Sequence, residues 1–195
     1  PSPATGNAAA AAIAETSQFT GTVVWAPMLN EGTFAANTEY TATITISPKT
    51  GYRLDGIPAG FFMVPGATYA SNSADSGTIT AVFPNTDKTP VTAIGATSGN
   101  AEVAQTLTAG GLTPSEASVT YRWLRSTTAG GPYTAIDGAQ STAYTLTGDD
   151  LNAYISVLVT GTGDYSGSVN SADVGPVSAK TVSIYPVSGL PVPAA

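Results

Sequence analysis

The sequence contains neither cysteine nor histidine. A chain without these side chains cannot build a Ser-His-Asp or Cys-His nucleophilic centre, a zinc finger site, or the usual haem and iron–sulfur ligand sets. Disulfide bonds are excluded too, so the fold must be stabilised by its core alone. We therefore expect a protein that is not an enzyme and that uses no cofactor.

Charge is also scarce, since Asp, Glu, Lys and Arg make up only 10% of the 195 residues. Six cations against thirteen acids give a net charge of −7. The six cations are scattered along the sequence, so the basic footprint of a nucleic-acid-binding or membrane-surface protein is missing. The longest low-polarity run, Ala8 to Ala14, is far below the roughly 20 residues of a membrane span.

What remains is rich in Ser, Thr, Ala, Gly and Pro, and the first residue is proline rather than methionine. This beginning indicates a chain that was processed or excised from a longer one. Together with the low charge and the missing cysteine, it predicts an exported protein.

Two series of short strands are predicted from alternating side chains. The clearest strand of the first series, from Tyr40 to Ser47, places Tyr, Ala and Ile on one face and Thr on the other. Shorter strands are predicted at residues 52–54, 61–64 and 67–70. In the second series, Val119 to Leu124 and Ala153 to Val159 alternate in the same way.

The second series resembles a known family in its motifs. These are Tyr121-x-Trp123, the turn Ala129-Gly-Gly-x-Tyr133, the strand Tyr144-Thr-Leu-Thr and the closing Gly161-Thr-Gly-x-Tyr-Ser-Gly. They are similar to the bacterial immunoglobulin-like repeats that occur in tandem in large cell-surface and S-layer-associated proteins. The first series resembles such a repeat through FTGTVVWAP and GTFAANTEYTATITISPKTGYRLDGI. The resemblance implies fold and compartment, whereas such repeats serve as spacers, adhesins and assembly modules alike.

The expected fold is therefore all-β, with two tandem immunoglobulin-like β-sandwich domains and extended terminal segments. We expect an Ala-rich segment at residues 1–18, a first sandwich at 19–86, a linker at 87–90, a second sandwich at 91–178, and a strand with a Pro-rich tail at 179–195. The alanine run has a high helix propensity, although so short a helix is marginal without a partner.

No metal site is predicted. The pair Asp149–Asp150 lacks calcium-loop spacing and is typical of a solvated turn. Aromatic side chains at turns are candidates for stacking on host or cell-wall glycans; these are Tyr52, Tyr133 and Tyr165.

The termini suggest a mechanism of assembly, because a terminal strand can add to the open sheet edge of a neighbour. The candidate donor residues are Thr181, Val182, Ile184, Tyr185 and Val187 at one end, and Ala10, Ala12 and Ile13 at the other. The favoured hypothesis is a structural subunit of an extracellular filament or surface layer that polymerises with itself by strand exchange. The alternative is an adhesin or a carbohydrate-binding spacer module of a larger surface protein.

Overall fold

The computed structural model describes residues 2–181, and this part of the chain is all-β. Its only helical element is the 3-10 turn Gly148–Asp150. The strands are β1 (Phe19–Ala26), β2 (Thr41–Pro48), β3 (Tyr69–Asn72), β4 (Thr78–Val82), β5 (Thr89–Pro90), β6 (Ala93–Ile94), β7 (Thr106–Thr108), β8 (Leu112–Thr113), β9 (Val119–Ser126), β10 (Thr134–Ala135), β11 (Ala143–Thr145), β12 (Tyr154–Gly161), β13 (Tyr165–Ser166) and β14 (Ser168–Asn170). No helix of these residues is long and apolar enough to cross a membrane.

The described chain divides into two compact units. The first comprises residues 2–90 and 161–167, and the second comprises residues 91–160 and 168–181.

An antiparallel four-stranded sheet in the order β1-β2-β4-β3 forms the frame of the first unit. The predicted alternation in β2 is confirmed, because Ala42, Ile44 and Ile46 are buried while Thr43 and Thr45 are exposed. Threonines of β1 and β4 continue the polar outer face. The 25 residues of these four strands include no charged residue.

The inner face of this sheet is covered by irregular chain between β2 and β3. Partly buried side chains from this stretch pack against the core, among them Leu54, Phe62 and Val64. The strands predicted at residues 52–54 and 61–64 are wrong, because this stretch folds into successive turns. Gly56 and Gly60 have φ values of 87° and 71°, which are turn rather than strand conformations.

The second unit contains a four-stranded sheet in the order β10-β9-β12-β14 and the strand pairs β11-β7 and β6-β8. Its core surrounds Trp123, whose side chain is fully buried and whose indole donates to the Ser141 carbonyl (2.9 Å). Ile155 and Val157 of β12 are fully buried beside it, as predicted, but Ser156 between them is fully buried too, so the predicted alternation does not hold at that residue.

Candidate functional site

The Ala-rich N-terminal segment lies in an extended conformation along the edge of the first sheet. Antiparallel bridges pair Ala12 with Thr22 of β1 and Ala8 with Thr33. The helix favoured by the alanine propensity does not form. A free sheet edge offers hydrogen-bond partners directly, whereas a short isolated helix must first overcome a costly nucleation step.

Residues 10–13 make three hydrogen bonds with β1, and residues 6–9 make three more with Gly32 and Phe34. The amide of Ile13 donates to the Gly21 carbonyl (3.1 Å), and the amide of Val23 donates to the Ala11 carbonyl (2.8 Å). The indole of Trp25 donates to the Ala10 carbonyl (2.8 Å). Residues 10–13 therefore form an added strand at the edge of β1, attached mainly through backbone atoms.

The anchor of the added strand is the Ile13 side chain, which packs against the core of the first unit. It lies directly over Gly21, where a Cβ atom would come within 2.8 Å of Ile13 Cδ1. The same Cβ would lie 2.8 Å from the Thr45 carbonyl oxygen. Gly21 is thus a gap in the strand that admits a β-branched side chain, and glycine within a strand is the sequence signal that could have revealed this close approach.

An apolar groove of about 470 Å³ remains between the added strand and the sheet. Ala10, Ala12 and Ile13 line one side, and Ile44 and Phe83 lie on another. Small alanine side chains therefore leave much of this site unfilled.

The connection between the added strand and β1 is fastened by Lys49. Its ammonium group donates to the Thr16 carbonyl (2.7 Å) and forms an ion pair with Glu15, while its backbone amide donates to the Gln18 carbonyl (2.9 Å). The hydrogen bond and charge of Lys49 lower the pKa of Glu15. The stabilisation from this ion pair is therefore present at neutral pH and is lost as pH falls through that lowered pKa.

The C-terminal donor candidates fall mostly outside the described residues. Thr181 is exposed and lies in no strand, and Val182, Ile184, Tyr185 and Val187 lie beyond the described chain.

Backbone hydrogen bonds hold Ser178, which precedes these residues, within the second unit. The Ser178 amide donates to the Ala101 carbonyl (2.8 Å), and its carbonyl accepts from the Val103 amide (3.0 Å). The three residues that follow, 179–181, are exposed.

The aromatic candidates for glycan contact occupy three different environments. Tyr52 is exposed at a turn, with 48% of its surface accessible. The hydroxyl of Tyr133 donates to the Asp173 carboxylate, and this bond raises the pKa of Tyr133 to about 12. Tyr165 lies in β13, which pairs in parallel with β5. Of these three predicted residues, only Tyr52 presents an exposed ring.

The expectation of a solvated Asp149–Asp150 pair is wrong for Asp150, which is fully buried. Its Oδ2 accepts from the Tyr144 hydroxyl (2.8 Å) and from the Thr147 amide (2.7 Å), and Arg125 Nε lies 3.0 Å from Oδ1. Burial and the bond to Asp150 raise the pKa of Tyr144 to about 12. This carboxylate braces the 3-10 turn and was not identified from sequence.

Metal-ligand clusters of three or more acidic, histidine or cysteine residues are not found between residues 2 and 181. Comparisons of the chain with protein-family models, with curated proteins and with solved structures find no match. The assignment of function therefore depends on the geometry of the chain itself.

Proposed function

We propose that this chain is a non-catalytic structural subunit of an extracellular bacterial filament or surface layer, and that it assembles by exchanging terminal strands between copies. In this proposal its two units act as tandem immunoglobulin-like modules. The observation that carries the proposal is the added strand of residues 10–13, which occupies the edge of β1 through a few backbone hydrogen bonds.

Strand exchange fits this edge because its contacts are largely independent of sequence. Sheet edges are templates for further strands, and backbone groups of another copy can satisfy the same partners on β1. Donation from one copy to the next is heterologous, so a contact that does not close on itself produces a filament. The strands β1 to β4 carry no charged residue, and only 10% of the chain is charged. Copies that meet at this sheet therefore bring no like charges together on their strands.

A disulfide lock tests whether the edge must open. The two hydrogen bonds that flank the Ala12–Thr22 bridge make it a non-hydrogen-bonded antiparallel pair, with Cα atoms typically about 4.5 Å apart. This distance lies within the range of disulfides, and the chain has no other cysteine. Oxidised Ala12→Cys/Thr22→Cys protein should remain monomeric in light scattering and should form no fibres in electron microscopy, whereas a reductant should restore assembly.

The matched control is Thr43→Cys/Thr80→Cys, which joins β2 and β4 in the same sheet without touching the termini. Its oxidised form should assemble like the unmodified chain. Assembly of the locked variant, with the intrachain disulfide verified by mass spectrometry, would overturn exchange at β1. A monomeric unmodified chain without fibres would overturn the structural role altogether.

A second candidate function is an adhesin or carbohydrate-binding spacer, favoured by exposed aromatic rings in the first unit. Tyr52, Phe61 and Tyr69 expose 48%, 58% and 60% of their surfaces. This function predicts a stable monomer that binds on a glycan array and loses binding in Tyr52→Ala or Tyr69→Ala. The control is Thr43→Ser, a substitution at an exposed residue of the same sheet, which should leave glycan binding unchanged.

A further inference from the structure

The groove beside β1 holds a segment that fills it incompletely. About 470 Å³ remains, bordered by Ala10, Ala12 and Ala14 of the N-terminal segment and by sheet residues such as Ile44 and Phe83. The apolar side chains that line the groove remain partly in contact with water. A segment with larger apolar side chains would bury more of their surface than the alanines do, which is favourable. The site therefore suits an extended segment that retains a β-branched anchor for the Gly21 gap and carries larger neighbours than alanine.

The chain itself carries such a segment near its C-terminus. Residues 181–187, TVSIYPV, have β-branched side chains at Val182 and Ile184, two positions apart, as side chains on one face of a strand are. Ile184 has the same side chain as Ile13. Pro186 limits the strand at its far end, since proline cannot continue a ladder of hydrogen bonds.

We infer that residues 181–187 of a second copy occupy the groove beside β1 in place of residues 10–16, with Ile184 seated over Gly21. This inference rests on the proposed function and names the donor and the acceptor of the exchange. The fourteen residues from 182 to 195 follow the exposed residues 179–181. The reach that matters is the six residues from 179 to 184, which span about 20 Å when fully extended at about 3.3 Å per residue and allow Ile184 to enter the groove of a neighbouring molecule.

The arrangement gives the N-terminal segment the role of a plug. Each copy offers one groove and one C-terminal donor, so successive copies join head to tail. Release of the plug and entry of the donor exchange similar backbone hydrogen bonds. In this register Val182 and Tyr185 replace the smaller Ala11 and Ala14, so the donor buries more apolar surface against the first unit. Exchange is therefore directed toward the assembled form.

Disulfide trapping in the full chain tests the donor and the acceptor together. With Ile184 in the place of Ile13, Ser183 takes the place of Ala12, the residue that pairs with Thr22. Oxidised Thr22→Cys/Ser183→Cys protein should give a ladder of covalent multimers on a non-reducing gel. Thr22→Cys alone and Ser183→Cys alone can give nothing larger than a dimer.

A side-chain test accompanies the trap. Ile184→Asp places a charge in the apolar groove and should reduce the assembly rate at least tenfold. Val192→Asp, beyond Pro186, is the matched control and should assemble like the unmodified chain. Unfolding curves of both variants should match the unmodified chain, so that a change in assembly is not caused by loss of the fold.

The possible outcomes separate the two proposals. If the Ala12–Thr22 lock blocks assembly, but the trap yields no ladder and Ile184→Asp assembles normally, then N-terminal segments exchange and the present inference is overturned while the structural role stands. A trap that links only residues of one chain also overturns it. If the unmodified chain forms no assembly at all, both proposals fail.

Discussion

Truncation of the Ile13 side chain should release the added strand without unfolding the sheet beneath it. Ile→Ala costs about 2–5 kcal/mol at fully buried sites, and Ile13 is only partly buried. We therefore expect Ile13→Ala to weaken docking by about 1–2 kcal/mol. That corresponds to an increase of about 5- to 30-fold in the population of the open edge.

Amide hydrogen exchange measures this opening at individual residues. The Ile13 amide, bonded to Gly21, and the Val23 amide, bonded to Ala11, are protected by the added strand. Both should exchange about 5- to 30-fold faster in the variant, because local opening limits their exchange. Amides of the β2–β4 ladder, such as Ile46 bonded to Gly77, should keep their rates.

Ile13→Val is the graded control and should give a smaller acceleration, since it removes one methylene group. Equal acceleration of Ile13, Val23 and Ile46 would refute the reasoning, because the strand and the sheet would then open as one unit. Unchanged exchange at Val23 would refute it too.

Ile13→Ala also separates the routes of assembly. It should speed assembly if the C-terminal segment displaces the plug, and slow assembly if N-terminal segments swap.

Three further predictions concern the sheet edge and the second unit. Gly21→Val should destabilise the first unit by about 1–3 kcal/mol in urea unfolding, because its side chain has no room against neighbouring atoms. Asp150→Ala should cost about 1–3 kcal/mol, in the same assay, for each of the two donors that it leaves without an acceptor, the Tyr144 hydroxyl and the Thr147 amide. Asp173→Asn should lower the pKa of Tyr133 from about 12 toward 10, and a titration monitored by the absorbance of tyrosinate measures this change. In the unmodified chain the stabilisation from that bond should be complete below about pH 10 and lost as pH rises through about 12.

The strands with strict alternation could be predicted from the sequence because one buried face fixes their register. Tyr40, Ala42, Ile44 and Ile46 are all buried, as a two-residue period requires. The stretch between β2 and β3 could not be predicted in this way. It has apolar residues such as Phe62 that pack on the core, but its glycines and prolines turn the chain before a ladder can form.

The candidate site was predictable only in part, because its parts depend on contacts between distant positions. The sequence suggested Ala10, Ala12 and Ile13 as donor residues, and the structure places them together on the edge of β1. The seat of Ile13 on Gly21 depends on tertiary packing, and the glycine within a predicted strand is the local signal that points to it. Burial of Asp150 is a similar case, since its partners Arg125 and Tyr144 come from two other strands.

The added strand also solves a problem that the first unit would otherwise face. An uncharged sheet with an open edge at β1 is the type of surface that pairs indiscriminately with other chains. Sheet edges are commonly protected by charge, but this sheet carries none on its strands, so protection must come from a covering segment. In the proposed mechanism, a cover held by backbone hydrogen bonds, the Ile13 side chain and the Lys49 contacts protects the edge before assembly and can still be displaced. Under that proposal the incomplete filling of the groove by alanine is a requirement, because a tightly packed cover would keep the edge closed to a second copy.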